Sequence, residues 1–280
     1  MDISKINVGS TSYDVKDAVA REAISNLFGG SSSSEPSVNN NGYDYVEIGG
    51  IKWATMNVGA SSITDAGLYF QWGDTKGYTA SQVGSGSGQK AFTWADYKYC
   101  NGTESVMTKY NGTDGKTVLE ASDDAVQDAW GGSWRMPTTE EFVALGAAVN
   151  SAWTADYQGS GVAGLVLTDK TDSSKVLFFP AAGDCEYGNV LDVGSRGYYC
   201  SSSVYSSNVQ SAYVLTLNSS RVRWQGRNDR CYGCAVRGIL DDSTQPSNNT
   251  SLHKVAVTGD YNDLENKPTI PDAQIQSDWN

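Results

Sequence analysis

No uninterrupted apolar run in this chain approaches the roughly 18 residues that a membrane-spanning helix requires. The opening, Met1-Asp2-Ile3-Ser4-Lys5, lacks the apolar core of a secretory signal. A soluble chain that is not exported, with no membrane insertion, is therefore expected. Histidine occurs once, as His253 in the tail, so the body has no histidine base to activate a Ser or Cys nucleophile. Basic residues are scarce: 20 Lys and Arg against 32 Asp and Glu give a net charge of -12. Phosphate backbones are bound through clustered cations and counterion release, so nucleic acid is an unpromising partner. Cysteine is also sparse, at Cys100, Cys185, Cys200, Cys231 and Cys234. Five in 280 residues do not make a disulfide scaffold, and the odd count leaves a thiol unpaired. Synthesis in a reducing cytoplasm is the simplest expectation. What is present, 39% hydrophobic and 11% aromatic residues, exceeds what a disordered acidic chain carries and predicts a globular body.

Composition divides the chain into four stretches. Across 1–28, Val15, Val19, Ala20, Ala23, Ile24 and Leu27 recur at helical spacing from Tyr13-Asp14 onward, and Gly29-Gly30 ends the pattern. A helix this short is marginal alone, so its stripe needs its own domain or further copies of itself. This segment reads as an attachment or oligomerisation element. Residues 29–42, GGSSSSEPSVNNNG, read as a flexible linker. From 43 to 240 the chain shows short β-type runs such as Tyr45–Ile48, Val176–Phe179 and Ala212–Leu217, with turns at Asn101-Gly102 and Asn111-Gly112. Two helices are predicted within it. One covers Asp123–Trp130, capped by Ser122 and stopped at Gly131-Gly132; the other follows Pro137, with a capping box from Thr138 to Glu141. The predicted class is α+β, two helices beside an irregular antiparallel sheet. Seven of eight tryptophans lie in this stretch and are expected mostly in its core. Residues 241–280 begin as a polar linker and then offer Val255-Ala256-Val257 and a Pro-punctuated tail.

Several pieces of the body carry a resemblance. They are Ile51–Ala60 (IKWATMNVGA), Tyr69–Asp74 (YFQWGD), Trp134–Thr138 (WRMPT), Phe179–Gly183 (FPAAG), Gly197–Ser202 (GYYCSS) and Ala235-Val236-Arg237. In order and spacing, over roughly residues 43 to 239, they resemble the Fibrobacter succinogenes major paralogous domain. The resemblance implies a C-type-lectin fold related to formylglycine-generating enzymes. The chain departs from that pattern at Cys200, where Trp is usual, and near Cys234, where an aromatic is usual. Ile6–Ala18 resembles the opening of phage tail proteins, and Thr258–Pro271 (TGDYNDLENKPTIP) is similar to a tail-fibre shaft motif. Together these imply a receptor-binding protein of a phage tail, made in the bacterial cytoplasm and carried on the virion as a homotrimer beside other tail proteins. Its ligand would be a host cell-surface protein or glycan. Such domains are targets of diversity-generating retroelements, which mutate adenines, so AAC-derived positions become Tyr, Ser, Arg, Cys, Asn or Asp.

The residues point to the same region independently. Between Arg196 and Leu240 stand six arginines (Arg196, Arg221, Arg223, Arg227, Arg230, Arg237) and one acid, Asp229, a net of +5 in a chain totalling -12, which leaves -17 elsewhere. Tyr198–Asn208 mixes Tyr, Ser and Asn as antigen-binding loops do, rigid amphipathic area beside adaptable hydrogen bonds. Arginine guanidiniums stack on aromatics and fork onto oxyanions. The candidate ligand-binding residues are Tyr199, Cys200, Tyr205, Ser207, Asn208, Arg221, Arg223, Trp224, Arg227, Asn228, Asp229, Arg230, Cys231 and Tyr232. The competing expectation is that the arginines only form weak surface ion pairs with the acidic majority. In a strand, Arg221 and Arg223 share one face and Val222 takes the other.

Enzymatic readings are weaker. The spacing Cys231-Tyr232-Gly233-Cys234 lacks a second pair, and in a strand its cysteines face opposite sides, so no zinc or other metal site is expected. Asp123-Asp124 and Glu140-Glu141 fall in helix first turns, where they complement the dipole. The expectation is a non-enzyme without cofactor. The alternatives are a formylglycine-generating-type oxidase and a structural virion decoration protein, and fold likeness alone does not transfer the first of these activities.

Overall fold

The computed structural model describes residues 5–8, 11–14 and 41–241. The chain divides into two units, Met1–Val38 and Asn39–Asn280. In the first, β1 (Lys5–Val8) and β2 (Thr11–Asp14) form an antiparallel hairpin with Ile6 opposite Tyr13. Tyr13 and Asp14, expected to open a helix, are strand residues, and Thr11 and Tyr13 have the branched or aromatic side chains that strands favour. The rest of that stripe (15–27), the 29–40 linker, Val255–Val257 and the shaft-like motif lie outside the described residues.

The second unit is a mixed α+β body of mostly antiparallel sheets with two helices among the described residues. It opens with β3 (Tyr45–Ile48) and β4 (Ile51–Asn57), joined by Gly49-Gly50. Both glycines have positive φ, 61° and 77°, as a two-residue hairpin turn between twisted strands demands. After a long irregular stretch come α1 (Ala125–Trp130), β5 (Trp134–Arg135) and α2 (Thr139–Ala148). Strands β6 (Val149–Thr154), β7 (Gly164–Asp169) and β8 (Val176–Pro180) form a meander. A small hairpin, β9 (Asp184–Glu186) and β10 (Asn189–Leu191), precedes β11 (Arg196–Val204), β12 (Ser211–Asn218) and β13 (Val222–Asp229). The last strand, β14 (Arg237–Leu240), returns between β4 and β5, which ties the two ends of the body into one sheet.

The helix starts show how local chemistry sets the elements. At α2 the expected box is present: Thr138 Oγ1 accepts from Glu141 N at 3.3 Å, and Thr138 N donates to Glu141 Oε2 at 2.7 Å. At α1 the cap is Asp124 rather than Ser122. Its Oδ1 accepts from Val126 N (2.8 Å) and Gln127 N (3.0 Å), and its Oδ2 accepts from Met136 N (2.8 Å), so one carboxylate caps the helix and ties it to β5. Gly131, at φ 64°, ends α1.

The main core lies where α2 and the sheets meet. Trp53 stacks on Phe142 at 5.5 Å, and Leu145, Leu167, Phe179, Leu215 and Ile239 join them, all essentially inaccessible. Burying each such side chain is worth about 1.5–3 kcal/mol. Trp53, Trp72, Trp130 and Trp134 are buried as expected, whereas Trp94, Trp153 and Trp224 are half-buried. Within this core Arg237 is enclosed. It donates to Asn57 Oδ1 (2.8 Å), Ala54 O (2.9 Å) and Phe178 O (3.0 Å) and lies 4.5 Å over the Phe179 ring. Burial pushes its pKa down to about 10, which leaves it charged at neutral pH.

Candidate binding surface

The candidate surface is built on the β11-β12-β13 sheet, in which β13 is an edge strand. Alternation along β11 decides which side chains reach solvent. Tyr198 is half-exposed, while Tyr199 turns inward, packs edge-on against Phe179 at 4.9 Å and donates to Pro180 O at 2.6 Å. Tyr198 pairs with Thr216, which in turn pairs with Arg223, giving one row across the sheet. Arg221 and Arg223 are exposed, and Val222 packs on the core between them, as alternation predicts. Trp224 also turns to the core and lies on α2, where Gly146 leaves room for its indole. The register then shifts: Thr216 faces Arg223 but Val214 faces Gly226, so Trp224 and Gln225 together oppose Leu215. This bulge sets Arg227 opposite Tyr213, while Arg227 stays exposed like Arg221 and Arg223. Its guanidinium lies 5.7 Å over the Tyr205 ring, which packs edge-on against Tyr213 at 4.9 Å.

Four candidate residues are corrected by burial. Tyr199, Arg230 and Cys231 are 0% exposed and Cys200 is 3% exposed, so none can touch a ligand from this surface. The serines beside them are buried too, and each has structural work. Ser201 Oγ donates to Tyr213 O, Ser202 Oγ donates to Pro137 O, and Ser203 Oγ accepts from Thr139 N. Arg230 leaves the sheet at its end and enters a cage in which Nε donates to the Tyr97 hydroxyl (2.8 Å) and the Nη atoms donate to three carbonyls, of Tyr110, Val209 and Lys109. Trp224 is half-buried with its ring on the core, and half-buried Asp229 accepts from Ser211 Oγ at 3.2 Å; both support the sheet more than they present themselves.

The rest form a groove and two flanks. The groove, of about 420 Å³, is walled by Arg196, Tyr198, Thr216, Arg223, Arg227 and Asn228. Arg196 pairs with Asp192 at 3.3 Å, but Arg221, Arg223 and Arg227 make no ion pair among the described residues. Among the described residues the surface-pairing expectation therefore finds no support for these three. Asn228 Nδ2 donates to Asp184 Oδ2 at 3.2 Å, which ties a carboxyl only 6% exposed to a residue of the groove wall. Burial pushes its pKa up, with Glu186 and Asp192 adding to the rise, to about 6 despite the Asn228 bond and the charge of Arg196. One flank is the turn carrying Tyr205, exposed Ser207 and half-buried Asn208, whose carbonyl accepts from Ser211 N. On the other, Tyr232 meets the exposed Tyr187, hydroxyls 3.2 Å and ring centroids 5.6 Å apart.

Arg196, Tyr198, Thr216 and Tyr187 belong to this surface, with buried Asp184 behind Asn228, yet none is in the sequence-derived set. Alternation could have chosen Tyr198 over Tyr199; nothing in the sequence brings the β9–β10 hairpin alongside β13.

Cys231 packs with Tyr97 and Cys100, whereas Cys234 meets Cys200, so the paired cysteines diverge. All five thiols are buried and unpaired, and burial pushes those of Cys185 and Cys231 well above the usual range, away from the reactive thiolate. A neighbouring Cys200 thiol and burial do the same to Cys234. No cluster of three metal-ligating side chains occurs among the described residues. Of the acidic pairs, Asp123 binds Lys109 and the Tyr110 hydroxyl, Asp124 caps α1, and Glu141 grips Arg135 at 2.6 and 2.8 Å. Comparison with protein-family models, curated proteins and solved structures returns no match.

Proposed function

We propose that this protein is a non-enzymatic adhesin of a phage tail: a C-type-lectin-like body that presents the β11–β13 face to a host cell-surface protein or glycan. In this reading the face is diversified by a retroelement. The N-terminal segment and residues 241–280 join other tail proteins, and a homotrimer multiplies weak receptor contacts by avidity. The observation that carries the proposal is the set of exposed, unpaired arginines, Arg221, Arg223 and Arg227, on a strand whose other side is fixed in the core by Val222 and Trp224. Such a face can change sequence without disturbing the packing beneath it. Diversification is confined to the outward positions; buried Tyr199, Cys200, Arg230 and Cys231 are scaffold.

An edge strand lined with arginine also resists edge-to-edge pairing, and a decoration protein would need no more than that. Intact cells of a host panel separate the two. The combined Arg221→Ala, Arg223→Ala, Arg227→Ala protein should stay folded and lose binding. A variant that aggregates but still binds cells assigns the arginines to edge protection and contradicts the adhesin.

A further inference from the structure

The groove couples two features that the adhesin reading leaves unexplained. Its walls carry four guanidiniums, of Arg196, Arg221, Arg223 and Arg227, and among the described residues only Arg196 has a carboxylate partner. Asp184 is a buried carboxyl joined to the groove through the lining residue Asn228, its one hydrogen-bond donor among the described residues. A buried charge so poorly compensated is costly, and its position follows from the fold. Gly183, at φ 70°, bridges to Gly197, and Asp184 pairs with Leu191 across the hairpin, which leaves the carboxyl directed to Asn228. Guanidinium forks recognise planar or tetrahedral oxyanions.

We infer that the groove is an oxyanion site, for a sulfate-type group, whose occupancy is linked to a proton on Asp184. The inference rests on reading this face as the binding surface. Ionised Asp184, behind Asn228, repels an anion brought into the groove and draws on the field of Arg196. Protonated, it ceases to repel. The groups that act on Asp184 are Glu186 of its own hairpin, Asp192 of the following turn, Arg196 and Tyr198 of β11, Asn228 of β13, and the neutral Tyr69 and Cys234. Arg196 is positive throughout the range considered; burial pushes the tyrosines up and out of it, and the Cys200 thiol together with burial does the same to Cys234. By linkage, anion binding raises the proton affinity of Asp184 and protonation tightens the anion by the same factor.

Inorganic sulfate is the probe, because its charge is constant between pH 5 and 8. It is titrated into the full chain at fixed ionic strength while the arginine side-chain Nε–Hε resonances are followed by NMR. The dissociation constant should fall about fivefold or more between pH 7.5 and pH 5, within the range of ordinary site-to-site coupling. Asp184→Asn should bind at the tighter level at both pH values. Asn228→Ala, which removes the donor that favours the ionised carboxyl, should move the transition to higher pH. Arg223→Ala together with Arg227→Ala should weaken binding at both. A wild-type constant independent of pH, a pH slope that persists in Asp184→Asn, or no saturable response at all overturns the inference. Loss of cell binding in the triple arginine variant alongside an absent sulfate response would leave the adhesin standing and remove only this site. A pH-linked sulfate response in a protein that binds no cells would do the reverse.

Discussion

The Arg230 guanidinium carbon lies 4.5 Å from the Trp72 ring centroid, and among the described residues no carboxylate pairs with it in its cage. Its charge is met instead by aromatic faces, the Tyr97 hydroxyl and three carbonyls. This one side chain joins the end of β13, the 205–210 turn and the Lys109-Tyr110 segment.

Arg230→Met keeps much of the volume but strands those acceptors at about 1–3 kcal/mol each. The expected loss is at least about 3 kcal/mol, read from urea denaturation midpoints. Arg230→Lys should also destabilise, since an ammonium lacks the guanidinium's fork. A change below about 1 kcal/mol in Arg230→Met would contradict the cage.

Gly146 in α2 concerns the same sheet from beneath. Replacing an interior helical glycine by alanine ordinarily gains about 1 kcal/mol. Here a Cβ would come within 2.5 Å of the Trp224 indole. A ring pinned between α2 and β13 yields only by moving the strand, and overpacking costs about 1–3 kcal/mol. Gly146→Ala should therefore lower the melting temperature, and a rise would show that the ring relaxes freely.

Two carboxyls give opposite pH dependences. Asp184, raised to about 6 mainly by burial, binds its proton more tightly folded than unfolded. Its contribution to stability is fully present below the ordinary value of 3.8 and is lost as pH rises through about 6. At Asp123 burial works upward, but hydrogen bonds from Lys109, Tyr110 and Tyr99 prevail and hold it at about 2. Its contribution is present above 3.8 and is lost as pH falls through about 2. In thermal melts, Asp184→Asn should be stabilising at pH 7 and neutral near pH 4, while Asp123→Asn should be destabilising at pH 7 with a gap that narrows below pH 4. A pH-independent difference for either variant would contradict its assignment.

Local chemistry was legible in the sequence wherever partners lie a few residues apart. The Thr138–Glu141 box, the stop at Gly131 and the Arg221–Val222–Arg223 alternation all stand in the structure. Asp124 displaced Ser122 as a cap because its carboxylate also serves Met136 N, twelve residues on, a bond that no local pattern signals. The Tyr/Ser stretch misled for a related reason. A serine bonding a ligand and a serine bonding Pro137 O are the same letter, and only the path of β11 past α2 separates them. The bulge at Trp224-Gln225 likewise depends on β12, so nothing in the strand itself announced that Arg227 would face Tyr213.

The most direct measurement is a display library with single codons randomised from 196 to 232, sorted once for folded protein and once for host-cell binding. Substitutions at Arg221, Arg223, Arg227, Tyr205 and Ser207 should leave folding intact and change binding, whereas those at Tyr199, Cys200, Arg230 and Cys231 should fail the folding sort. If the exposed positions prove neutral in both sorts, or the buried ones tolerate free exchange, the division of this region into a displayed face and a fixed scaffold is wrong.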